Sequence, residues 1–170
     1  LRGQRCRGTS HSEIILFSDW LKWLGITAGY GQGTNVNFFP APGIAPFLAN
    51  SAQGRVALRL RPAPNVGLEE TYLYTRLDTR QGSTPLGVPP AANIFNNHIL
   101  RSKLNYQFTR RLSLRAILDY NAVLANTSLV GQERSKRLSA DLLLGYLVNP
   151  GTAFYIGYTD GYENLALDPV

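Results

Sequence analysis

The chain contains no methionine and one cysteine, Cys6. A lone cysteine excludes a disulfide framework and a CxxC redox or zinc pattern. The only histidines, His11 and His98, lack Cys or His neighbours at metal-ligand spacing, so no metal and no cofactor are expected. No apolar run approaches the 18 residues or so of a membrane helix, which leaves open a crossing by strands, whose signal per segment is weak. Charged residues are scarce at 16%, below the usual quarter or so. A chain that opens on Leu1 and has no methionine reads as a piece of a longer one.

What is abundant points to β structure with many turns: 16 glycines, 9 tyrosines and a hydrophobic share of 44%. At 170 residues the chain is long enough for one domain with a sizeable core. A net charge of +6 suits acidic partners, whether nucleic acid, anionic headgroups or small anions.

Alternation with a period of two recurs along the chain. It is weak around 13–17. Over 22–31 it sets Leu24, Ile26, Ala28 and Tyr30 against glycines and Thr27. Val56, Leu58 and Leu60 alternate with Arg55, Arg59 and Arg61. Residues 68–77 are ambiguous, because each register carries a glutamate, Glu69 or Glu70. Leu100 to Phe108 and Leu112 to Tyr120 alternate clearly, and so do 138–146 and 154–158. Eight to ten alternating residues are the mark of a half-buried strand.

Short connections at 17–20, 61–65, 109–111 and 148–151 carry turn residues; long ones fall at roughly 33–52, 78–96 and 121–135. Pro40, Pro42, Pro46, Pro85, Pro89 and Pro90 in the long links exclude central-strand pairing there. The fold expected is all-β, an antiparallel up-and-down meander of about eight strands. It occupies 12–170, incomplete at both ends, after an irregular basic segment over 1–11.

The apolar face could turn toward a protein core or toward lipid. Ten tilted residues cover roughly 23 Å of membrane normal, close to the height of a barrel's apolar band. Aromatics sort to both ends of that face: Trp20, Tyr106, Phe108, Tyr146 and Phe154 toward the short turns, Tyr30, Tyr120 and Tyr158 toward the long loops. Aliphatic residues lie between, as expected of girdles at two membrane interfaces. The partner expected is a lipid bilayer.

The runs LNYQFTRRLSLRAILDYNAVL and RLSADLLLGYLVNPGTAFYIGYTDGYENL resemble a large bacterial outer-membrane β-barrel family of unknown function. WLKWLGITAGYGQGTNVNFFP and TYLYTRL are similar to it too, so the resemblance covers about 12–168. Members typically carry, before the barrel, a domain similar to family-nine carbohydrate-binding modules. The resemblance implies a barrel in the outer membrane and supplies no catalytic residue. This chain lacks the preceding domain and ends on Asp168-Pro169-Val170 rather than on an aromatic strand. A return strand is therefore expected to be missing.

The opposite register carries Arg55, Arg59, Arg61, Arg101, Lys103, Asn105, Arg115, Asp119 and Asp141. A tight turn at 109–111 brings Arg101 opposite Asp119 and Asn105 opposite Arg115. Such a wall reads as a basic lumen favouring small anionic or sugar-like solutes, or as a hydrated interior that conducts nothing. Arg134, Lys136 and Arg137 stand where a long loop meets a strand and could meet outer-leaflet lipid phosphates; a solvated loop base is the plainer reading.

Other motifs are weaker. A Ser–His hydrolase in the wall would use His98 with Ser102, or His11 with Ser10, but has no orienting third residue. GYGQG at 29–33 opens no helix and lacks the GK[ST] ending of a phosphate loop. NTS at 126–128 is a glycosylation pattern without meaning in a bacterial barrel. Arg2, Arg5 and Arg7 have no aromatic stacking platform beside them, so nucleic acid is not expected. The function expected is an outer-membrane pore or scaffold. The alternatives are a membrane-embedded hydrolase and a soluble β-barrel module for acidic ligands.

Overall fold

A computed structural model describes residues 10–84, 87–89 and 91–164. Arg2, Arg5, Cys6, Arg7, Pro85, Pro90 and the 168–170 terminus lie outside the described residues. The strands are β1 (His11–Leu21), β2 (Leu24–Asn37), β3 (Phe47–Ala63), β4 (Val66–Thr79), β5 (Asn93–Gln107), β6 (Leu112–Ala125), β7 (Ser135–Asn149) and β8 (Thr152–Asn164). They form one antiparallel sheet in the order of the sequence. The fold is thus all-β, an up-and-down meander of eight strands, and the sheet is not closed. Among the described residues no helix is long and apolar enough to cross a membrane.

Each strand outruns its alternation on the long-loop side. Side-chain alternation in 22–31 ends near Gly31, yet β2 pairs on through Thr34↔Asn50 to Asn37↔Phe47. A ladder needs backbone groups, not apolar side chains, so polar GQGTNVN continues it. The long links shrink to 38–46, 80–92 and 126–134. At the other end, FSDW belongs to β1, and the first turn is Lys22–Trp23. The last turn contains Gly151 at φ 95°, a conformation open to glycine and strained for other residues.

Register decides the ambiguous fourth strand. Glu69 stands opposite Arg59 and Lys103; Glu70 stands opposite Leu58 and Ser102. The two glutamates therefore lie on opposite faces. One face carries Ile26, Leu58, Tyr72, Leu100, Leu118, Leu142 and Ile156, and these large apolar side chains are exposed or half-buried. The other carries the charged residues, from Arg61 and Arg115 near the short turns to Arg137 and Glu163 near the long loops.

The buried core lies on that second face, at its long-loop end. Phe47, Ala49, Leu77, Ile94, Val123 and Ala125 come from the strands; Leu129 and Val130 come down on them from the last long loop. Loop 38–46 is tied to loop 126–134 through the Pro40↔Val130 bridge, Ala41 N donating to Leu129 O, and Gly131 N donating to Phe39 O. Buried Asn37 reinforces the tie by donating from Nδ2 to Leu129 O at 3.1 Å. Asn126 shapes the second loop, its Oδ1 accepting from Ser128 N and Oγ and its carbonyl from Leu129 N. That turn is what the NTS pattern encodes.

Candidate functional site: the charged face

The residues expected on one wall share one face. Arg55, Arg59, Arg61, Arg101, Lys103, Asn105, Arg115, Asp119 and Asp141 fall in a single register set, because each neighbouring strand pairs with even offset from the last. The 109–111 turn sets the register as the spacing requires, with Arg101↔Asp119 and Asn105↔Arg115 directly opposite. Arg101 grips Asp119 in a bidentate pair, Nε donating to Oδ1 at 2.5 Å and Nη2 to Oδ2 at 3.0 Å.

The face is less basic than the arginines alone suggest. Glu13, Asp19, Glu69 and Glu163 join Asp119 and Asp141 there. Arg59 lies 3.9 Å from Glu69, and Arg137 stands opposite Glu163. Asp141 accepts from Thr159 Oγ1 at 2.7 Å. Five cations of this face are left over: among the described residues Arg55, Arg61, Lys103, Arg115 and Arg137 have no carboxylate within ion-pair reach. The excess positive charge is therefore local.

A basin of about 440 Å³ opens at the short-turn end of this face. Arg61 and Arg115 flank it, with Asn105, Gln107 and Ser113 between them and Tyr155 at one side. Tyr155 pairs with Gly145 across β7 and β8, and its ring lies over that glycine. A Cβ on Gly145 would come within 3.1 Å of Tyr155 Cε1, so the glycine makes room for the ring. The sequence pattern singled out neither Gln107, Ser113, Gly145 nor Tyr155. The cue available was a tyrosine opposite a glycine in adjoining strands.

The expected girdle residues occupy the other face. Tyr30, Tyr106, Tyr120, Tyr146, Phe154 and Tyr158 share its register. Trp20 follows an irregularity in β1 and is 93% exposed. Phe108, just past β5, meets Tyr106 edge-on at 4.6 Å. Tyr158 stands mid-strand opposite Leu142, and Tyr162 is the tyrosine nearer the long-loop end of β8. Tyr72 and Tyr74, missed by the pattern, flank His98, whose Nδ1 is 2.8 Å from Tyr72 Oη.

Two acids interrupt this apolar face away from its ends, and an Arg76–Asp78 ion pair at 2.7 Å stands in the same register at its long-loop end. Glu70 Oε2 accepts from Ser102 Oγ at 2.5 Å. Asp160 Oδ2 accepts from Tyr158 and Tyr162, each at 3.0 Å. Ser102 is thereby engaged by Glu70, and His98 by Tyr72. Ser10 bonds through its backbone to Thr34, and His11 stands 3.8 Å from Glu13. No Ser–His–acid chain is assembled among the described residues, nor any cluster of His, Cys, Asp or Glu able to hold a metal.

The loop-base cations stand on both faces of the sheet. Arg134 Nε donates to Ala125 O at 2.8 Å. Lys136 pairs with Ala122 on the apolar side, whereas Arg137 pairs with Asn121 on the charged side. Comparison with protein-family models, with curated proteins and with solved structures returns no match.

Proposed function

We propose that the chain forms part of the wall of a bacterial outer-membrane β-barrel and serves as a pore or scaffold, passing or binding small anionic or sugar-like solutes. The observation that carries this reading is the position of the core. In a soluble sheet the alternating apolar face packs inward. Here no second layer of strands packs on that face, whose large apolar side chains are exposed or half-buried, and the buried cluster sits on the opposite, charged side beneath the loops. Hydrocarbon is the solvent such an apolar band suits, and a wet interior suits the charged face. Glu70 and Asp160 are accommodated because both are hydrogen-bonded, and acids on a lipid face cost less than bases.

Trp20 and Trp23 are the only tryptophans and stand at the same end of the sheet, which makes them a natural depth probe. In vesicles of lipids brominated at defined acyl positions, bromines near the headgroup should quench their fluorescence more than bromines near the chain end. Absence of quenching at every depth, together with a monodisperse protein in amphiphile-free buffer, would overturn the membrane reading and favour the soluble module for acidic ligands.

A further inference from the structure

We infer that the basin at the short-turn end of the charged face is a binding site for a small oxyanion, phosphate or dicarboxylate, held between Arg61 and Arg115. The inference rests on the wall assignment only in taking this face as the wet one. Neither guanidinium has a carboxylate or a side-chain hydrogen bond from the described protein, so their donors are free for a ligand. A guanidinium presents a fork of N–H groups that matches carboxylate and phosphate oxygens. The two arginines approach the same hollow from β3 and β6, across Asn105. Asn105, Gln107 and Ser113 add amide and hydroxyl groups that can donate to oxygens a guanidinium leaves unmet. The acid nearest along β4, Glu69, is set against Arg59 and stands one pair further up the strand.

The hollow is also unfilled by design of the backbone. Gly67 lines it, and a Cβ built there would meet nothing within 4 Å. Its φ lies outside the left-handed region, so a larger residue fits the backbone and would occupy the space.

Calorimetric titration of the protein in detergent micelles with inorganic phosphate, and separately with malonate, tests the site. Saturable binding is expected, and the arm that binds tighter names the oxyanion. Arg61→Gln and Arg115→Gln should each weaken binding about tenfold, the loss of one charge-assisted contact. Gly67→Phe should abolish it by filling the hollow. Arg55→Gln removes an equally unpaired cation on the same face outside the basin and should leave affinity within about twofold. Equal losses from Arg55→Gln and Arg115→Gln would reduce the effect to bulk charge and overturn the site, as would no saturable binding of either anion. Single-channel recording separates the site from the pore. Saturable binding without conductance sinks the pore and keeps the site; conductance with anion preference untouched in the Arg61→Gln, Arg115→Gln double variant sinks the site alone.

Discussion

Glu70 and Ser102 form a polar pair on an otherwise apolar face, and their energetics depend on what that face meets. Removing one partner strands the other: Ser102→Ala leaves the carboxyl without its donor and should cost about 1–3 kcal/mol. Replacing both, Glu70→Leu with Ser102→Ala, puts an aliphatic surface beside Leu58 and Leu118 and should be neutral or stabilising in a lipid environment. Denaturant unfolding of the two variants in micelles checks the pattern; a double variant as damaged as the single would mean that the pair serves a polar neighbour. Arg101–Asp119 is a milder case. Its arginine is half exposed, so a double-mutant cycle should give a coupling of about 0.2–1 kcal/mol in spite of the bidentate geometry. This second pair was legible in the sequence, because a turn of known place fixes which residues oppose each other. The first was not, because Glu69 and Glu70 are adjacent and only pairing to both neighbouring strands tells which faces which way.

At the scale of the strand, alternation predicts a sharp asymmetry between neighbours. Leu142 pairs with Ala116 and Tyr158 on the apolar face; Ser139 pairs with Asp119 and Gly161 on the charged one. Leu142→Arg should cost about 2–4 kcal/mol if its side chain sits near a bilayer midplane, and Ser139→Arg much less. Equal costs in micelle-based unfolding would count against two unlike faces. The alternation that licenses this prediction made all eight strands legible but understated them, since pairing persists through polar ends such as Thr34–Asn37. The loop-capped core was legible least. Phe47, Ala49, Val123 and Ala125 sit in the register that elsewhere carries charge, so they read as exceptions until Leu129 and Val130 are brought down on them by loop contacts remote in sequence. The tie that matters most is Asn37. Asn37→Ala removes one of the two donors to Leu129 O, which keeps Ala41 N, and the acceptor for the exposed Phe39 N, a loss of about 0.5–1.5 kcal/mol. Faster proteolytic nicking within 126–134, with the sheet otherwise intact, is the expected result.

For the whole molecule the open edges set the strongest demand. Substantial strand packing occurs only between sheet neighbours, and β1 and β8 are not paired with each other. An unpaired edge leaves a row of N–H and C=O groups without partners, and within hydrocarbon such an edge is not tolerated. β1 carries a further sign: Ile14 and Leu16 on one face and Ile15 and Phe17 on the other are all exposed, Phe17 by 81%. A strand apolar on both faces reads as one built to be covered on both. The assembled protein in a bilayer should therefore have both edges paired, either with each other or with further strands. Hydrogen exchange decides it. If the edges are paired, consecutive amides of β1 and β8 should be as protected as those of β4 and β5, whose two sides are already occupied. If alternate amides of β1 exchange at the rate of an open chain while their neighbours bonded to β2 stay protected, the edge is free in the assembly, and a membrane-spanning wall is no longer tenable.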